Sequence, residues 1–187
     1  MQYTFIALVE NKPGVLNRMA SLFRRRNFNI ESLAVGRTEK PEVSRMTVVV
    51  DCPNGDIDAH KLEANLYKLV NVLDVQDVTR QPAVTRDLAL IKVNVGPERR
   101  AEVDGLAHIF RARIVDVATD SVIIEITGTE DKIEGMIELL RPIGIVEMVR
   151  TGKIAMTRGA NCGIRRVGSG TGSQLEAAPN MAEMVLP

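Results

Sequence analysis

An α+β fold, with two split βαβ units in the order βαββαβ, is predicted for this chain by its length, an internal repeat and alternating apolar periodicities. At 187 residues the chain exceeds one typical domain, whereas a third domain would leave each piece too short to bury a core. Leu66-Tyr67-Lys68-Leu69-Val70 leads into Val78-Thr79-Arg80, and Met136-Ile137-Glu138-Leu139-Leu140 leads into Met148-Val149-Arg150 at the same spacing. Leu22-Phe23-Arg24-Arg25 is echoed by Ile109-Phe110-Arg111-Ala112. A duplicated unit of roughly 70 to 80 residues accounts for these echoes.

The first unit opens with the apolar run Phe5-Ile6-Ala7-Leu8-Val9, a strand that stops at Glu10-Asn11-Lys12-Pro13-Gly14. Leu16, Met19, Ala20 and Phe23 follow at i, i+3, i+4 and i+7, one face of a helix. Strands over 29–35 and 43–50 flank a polar, proline-containing loop, as a long hairpin would. After Asp56, a candidate N-cap, the stripe Leu62, Leu66, Leu69 predicts a second helix, and 72–80 the closing strand. The second unit repeats this order. A strand over 88–95 precedes Val103, Leu106, Ala107 and Phe110 at helical spacing, and strands over 113–118 and 122–127 follow. Thr129 is expected to cap a helix with stripe Ile133, Met136, Ile137 and Leu140, before a last strand over 143–150. The expected organisation is two ferredoxin-like domains, 1–81 and 82–158, and a flexible tail over 159–187, where Gly168-Ser169-Gly170-Thr171-Gly172-Ser173 offers no apolar periodicity.

Composition excludes several functions. With 24 basic and 24 acidic residues the net charge is zero, and with no Trp, two Tyr and four Phe there is little to stack on bases, so a nucleic-acid partner is not expected. No apolar run reaches a membrane span and Met1-Gln2-Tyr3-Thr4 does not begin an export signal, so a cytoplasmic protein without a membrane partner is expected. Cys52 and Cys162 form no CxxC pair, and His60 and His108 are isolated, so neither a metal site nor a catalytic centre is expected. Arg24, Arg25 and Arg26 close a helix, where cations offset its dipole.

The loop Asn11-Lys12-Pro13-Gly14-Val15-Leu16 is the one segment with ligand chemistry. Gly14 leaves the unpaired N–H groups of a helix start open to an anion such as a carboxylate. From these residues alone, an ordinary βα turn in which Pro13 and Gly14 serve only geometry is the simpler reading. Taken with Leu22-Phe23-Arg24-Arg25-Arg26-Asn27-Phe28-Asn29-Ile30-Glu31-Ser32-Leu33 and Ser44-Arg45-Met46-Thr47, however, the loop resembles the N-terminal ACT domain of acetolactate synthase small subunits. Ile109-Phe110-Arg111-Ala112-Arg113-Ile114-Val115-Asp116-Val117 and Ile145-Val146-Glu147-Met148-Val149-Arg150-Thr151-Gly152 are similar to that family's second domain. The family often has glycine where Asn27 stands, and asparagine also accepts a left-handed turn.

The resemblance implies a non-catalytic regulatory subunit that binds valine, mediates feedback inhibition and stimulates a separate catalytic (large) subunit in branched-chain amino-acid biosynthesis. Thiamine diphosphate, FAD and magnesium would belong to that partner, with no cofactor in this chain. It also implies that Gly14, Val15 and Leu16 hold the ligand carboxylate through backbone N–H groups, while Asn11 and Asn29, with Ile30 beside it, orient and enclose the ligand. In the split βαβ order the first two strands are parallel, so Asn11 and Asn29 fall at opposite ends of one sheet, roughly 25 Å apart for a strand of about eight residues. A single amino acid bridges them only if two chains pair their second strands antiparallel, which makes a homodimer through the first domain the expected assembly. A free-standing ACT-type amino-acid sensor with another target is the competing reading.

Overall fold

The computed structural model describes residues 1–159; the expected tail beyond Gly159, Cys162 included, lies outside the described residues. Two sheets are present. In the first unit β1 (Gln2–Glu10), α1 (Val15–Arg25), β2 (Ile30–Arg37), β3 (Val43–Asp51), α2 (Asp56–Leu66) and β4 (Val72–Asp77) build an antiparallel sheet of order β2-β3-β1-β4. In the second, β5 (Ala83–Asn94), α3 (Arg100–Ile109), β6 (Arg113–Val117), β7 (Ser121–Gly128), α4 (Glu130–Leu140) and β8 (Ile145–Arg150) repeat it as β6-β7-β5-β8. A short strand, β9 (Ile154–Thr157), pairs with the first residues of β5.

Alternation along β1 sends Tyr3, Phe5, Ala7 and Val9 toward the helices, where they meet Met19, Leu22 and Phe23 of α1 and Leu62 and Leu66 of α2. The second core repeats the pattern, with Ala89, Ile91 and Val93 against Val103 and Ala107 of α3 and Ile133, Met136, Ile137 and Leu140 of α4. All four members of the α4 stripe are therefore where their spacing puts them. The α1 stripe is rotated: Val15, Met19, Leu22 and Phe23 are buried, whereas Leu16 is 45% exposed and Ala20 faces solvent. Val15 competes with Leu16 for the core and, one residue earlier, lies directly over the sheet. Asn27 has φ 57, the left-handed turn expected after α1. Thr129 occupies an N-cap, but its hydroxyl makes no capping bond.

Cys52 is buried beneath the first core, and burial pushes its thiol up to about 11, so it remains a neutral, inert packing group.

Each sheet has helices on one face only. β9 crosses the open face of the first sheet, where Ala155 closes a small apolar cluster with Ile6 and Val78. The Arg45 guanidinium donates to the Ala155 carbonyl at 2.7 Å, and the Lys153 N–H donates to the Ser32 hydroxyl at 2.8 Å. Gly152, at φ 85, fits because a Cβ there would stand 2.9 Å from Ser32 Oγ and 3.2 Å from the Leu33 carbonyl oxygen. Neither β9 nor the extension of β5 back to Ala83 was expected from the sequence.

Beside this contact, within the second unit, Arg150 ties β8 to β5: it donates through Nε and Nη2 to one oxygen of the buried Asp87 carboxylate, at 3.1 and 2.8 Å, while Thr151 Oγ1 donates to the other at 3.1 Å. Asp87→Ala leaves a three-quarters buried guanidinium without its main partner, and should lower stability by about 3 kcal/mol. Glu102→Ala, which breaks the solvent-exposed Arg99 pair, should leave stability nearly unchanged, because water and salt screen such a pair. Urea denaturation of both variants measures the difference.

Candidate ligand-binding site

Glu10, the last residue of β1, fixes the start of the loop that leads into α1. Its carboxylate accepts from Asn71 Nδ2 at 2.5 Å and from Lys12 Nζ at 3.0 Å, and these contacts, the Asn71 bond foremost, hold the carboxyl below the usual carboxylate range. Asn71 Oδ1 in turn accepts from Arg18 of α1 at 2.5 Å, which ties strand, loop and helix together. Asn11 follows: its N–H donates to the Glu42 carbonyl at 2.7 Å and its Nδ2 to the Pro41 carbonyl at 2.8 Å.

Gly14 caps α1 with φ 82 and ψ −5, left-handed geometry that a side chain rarely adopts. A Cβ at Gly14 would meet nothing within 4 Å, so the approach to the helix start is open. The first bond of α1's own ladder runs from the Arg18 N–H to the Gly14 carbonyl at 3.1 Å, so the amides of Leu16 and Asn17 precede it and point out of the helix end. No acidic side chain occupies the first turn, and no side chain caps it. An anion therefore meets N–H donors and the positive end of the helix dipole without a competing carboxylate on α1. Val15 is buried in the core, and the exposed Leu16 supplies an aliphatic wall beside these donors.

Asn29 and Ile30 lie at the other end of the same sheet. The Asp51 N–H, at the end of β3, donates to the Asn29 carbonyl at 3.3 Å, whereas Asn11 is bonded to Glu42 just before β3 begins. The nine-residue strand β3 separates the two positions by about 30 Å. Asn29 Nδ2 donates to the Glu31 carboxylate, and the residue shares a shallow depression with Phe23, Asn27, Phe28 and the half-buried Ile30. One chain thus brings together Asn11, Gly14, Val15 and Leu16, and separately Asn29 and Ile30, but does not unite the two groups. β2 is an outer strand that pairs with β3 on one side only, among the described residues.

A second concavity was invisible in the sequence: a groove of about 320 Å³ between the sheets, lined by Val35, Arg45, Thr47, Val84, Ile154 and Met156 among others. The turn at Gly152 followed by the alternation Ile154, Ala155, Met156 was the only local signal for it. Among the described residues no three His, Cys, Asp or Glu side chains stand together as a metal site, and no helix is long and apolar enough to cross a membrane.

Residues 5–74 match the family described as AHAS small subunit-like ACT domain, and residues 86–159 that described as small subunit of acetolactate synthase. A probable acetolactate synthase small subunit of Archaeoglobus fulgidus is 53% identical over 159 residues, 85% of this chain and 98% of that protein. The acetolactate synthase small subunit of Bacillus subtilis is 49% identical over 151 residues, 81% of this chain and 87% of that one. The crystal structure of the small subunit from Thermotoga maritima superposes with a TM-score of 0.78 at 40% identity, covering 85% of this chain and 98% of that one.

The geometry at Gly14 separates a backbone effect from a steric one. Gly14→Ala meets no neighbour but must hold a left-handed φ, so it should cost about 1 kcal/mol, while Leu16→Ala should change stability by less than about 0.5 kcal/mol. Chemical denaturation followed by circular dichroism checks both.

Proposed function

Because the chain belongs to the acetolactate synthase small-subunit family, we propose that it is the non-catalytic regulatory subunit of that enzyme, binding valine and passing the inhibition to a separate catalytic subunit that it otherwise stimulates. Thiamine diphosphate, FAD and magnesium would reside in the catalytic partner. The observation that carries this reading is the uncapped start of α1 at Gly14, with Leu16 exposed beside it and the complementary residues Asn29 and Ile30 at the far end of the edge strand β2.

Two chains that pair β2 with β2 about a twofold axis run these strands antiparallel, so the start of one arrives at the end of the sheet where the other chain's Asn11 loop lies. In such a homodimer the N–H groups around Gly14, Val15 and Leu16 take the valine carboxylate. The Asn11 amide and the partner chain's Asn29 amide orient its polar atoms, and Leu16 with the partner chain's Ile30 receives the isopropyl group. Valine has few heavy atoms, so its affinity should fall between about micromolar and millimolar, roughly 8 to 4 kcal/mol. Residues 1–81 would form the ligand-binding and dimerising domain and 82–158 the second, with the protein in the cytoplasm.

Gly14→Asp places a carboxylate where the ligand's belongs, competing for the same N–H donors and repelling its charge. Valine inhibition of the enzyme reconstituted with this variant should disappear, while the variant stays folded and still stimulates the catalytic subunit. Asn29→Ala should raise the inhibition midpoint less, since it removes one polar partner without adding charge. The chain alone should form no acetolactate. An unchanged valine inhibition curve for folded Gly14→Asp would refute the site.

A further inference from the structure

We infer that Glu31 is a positioning residue that carries occupancy of the amino-acid site into the second unit; the inference rests on the site proposed above. Three observations converge on it. The Glu31 carboxylate holds Asn29 Nδ2, the amide assigned to the ligand. In the β2–β3 ladder Ile30 pairs with Val50 and Ser32 with Val49, so Glu31 is the unpaired residue of a bulge. Glu31 also lines a cleft of about 220 Å³ between the two units, together with Asp87, Glu130, Arg150 and Lys153.

Each observation limits what Glu31 can do. A bulge residue is free of the sheet ladder, so its side chain can be re-aimed without breaking strand hydrogen bonds. The next residue, Ser32, already accepts the Lys153 N–H at 2.8 Å, and the Lys153 ammonium pairs with Glu130 at 3.0 Å at the start of α4. Arg150 is divided between Asp87 and Glu134. Glu31 therefore has two alternatives: the Asn29 amide on the ligand side, or the cations Lys153 and Arg150 on the seam side. A ligand that takes the Asn29 amide displaces Glu31, and the freed carboxylate then competes with Glu130 and Asp87 for those cations. The ion pairs that tie α4, β5 and β8 together along the cleft are redistributed, and the second unit responds to a ligand it does not touch.

This arrangement has a signature that simple structural support would not produce. Removing the Glu31 carboxylate frees the Asn29 amide for the ligand while disconnecting the second unit, so binding and inhibition should separate. Full-length Glu31→Ala and Glu31→Gln would be titrated with valine by calorimetry, and valine inhibition measured for each after reconstitution with the catalytic subunit. Glu31→Ala should bind valine up to about tenfold more tightly, the worth of one charge-assisted hydrogen bond. Glu31→Gln, which keeps an acceptor for Asn29, should bind within about threefold of the unaltered chain. Both should lose at least about half of the maximal inhibition at saturating valine. Loss of valine binding in Glu31→Ala would make Glu31 a ligand contact and overturn the inference, as would full inhibition at saturation in both variants. Failure of the unaltered chain to bind valine would instead remove the amino-acid site itself, and the inference with it.

Discussion

The βαβ crossover forces β1 and β2 of the first unit to run parallel, with β3 between them antiparallel to both. That constraint decides where the residues of the proposed site lie. The end of β1, with Asn11 and the uncapped start of α1, is at one end of the sheet, and the start of β2, with Asn29 and Ile30, is at the other. No side-chain rearrangement crosses a distance set by the length of β3. A small amino acid that uses both groups must take them from two chains, and β2, paired on one side only among the described residues, is the edge that would join them.

The second consequence of the topology is that each sheet carries its helices on one face. For the first sheet the opposite face is covered in part by the second unit through Ala155, Gly152 and Lys153. The contact is small and specific: a side chain at Gly152 would collide with β2, and the Arg45 bond to the Ala155 carbonyl fixes β9 over β3. The cleft between the units near Ser32 is lined by the charged side chains of Glu31, Asp87, Glu130, Arg150 and Lys153, where geometry is set by direction and charge; such groups have discrete alternative pairings in a way that close-packed aliphatic surfaces do not. The same strand that would line the ligand site therefore touches the second unit.

Much of this was legible in the sequence. Helix-period stripes located all four helices, and the i, i+3, i+4, i+7 spacing of Ile133, Met136, Ile137 and Leu140 named a buried face residue by residue. Asn27 was readable as a left-handed turn through the family resemblance, because asparagine accepts the conformation of the glycine that often stands there. The rotation of α1 was not readable, since Val15 and Leu16 are adjacent and both apolar, and only the sheet beneath selects between them. β9 escaped notice because four residues carry too little periodicity to distinguish a strand from a loop. The role of Glu31 was hidden for a different reason: an exposed glutamate in a strand gives no signal until the bulge and the cations across the seam are placed around it.

The claim that two chains share each amino-acid site is tested most directly by mixing. A dimer assembled from one Gly14→Asp chain and one Asn29→Ala chain combines both defects in one of its two sites and leaves the other built entirely from unaltered residues. Isothermal titration of the isolated mixed dimer should find one valine per dimer bound with the affinity of the unaltered protein, although neither variant alone shows that affinity. If both site halves belonged to a single chain, every site in the mixed dimer would carry a defect, and the absence of any site with unaltered affinity would contradict the account.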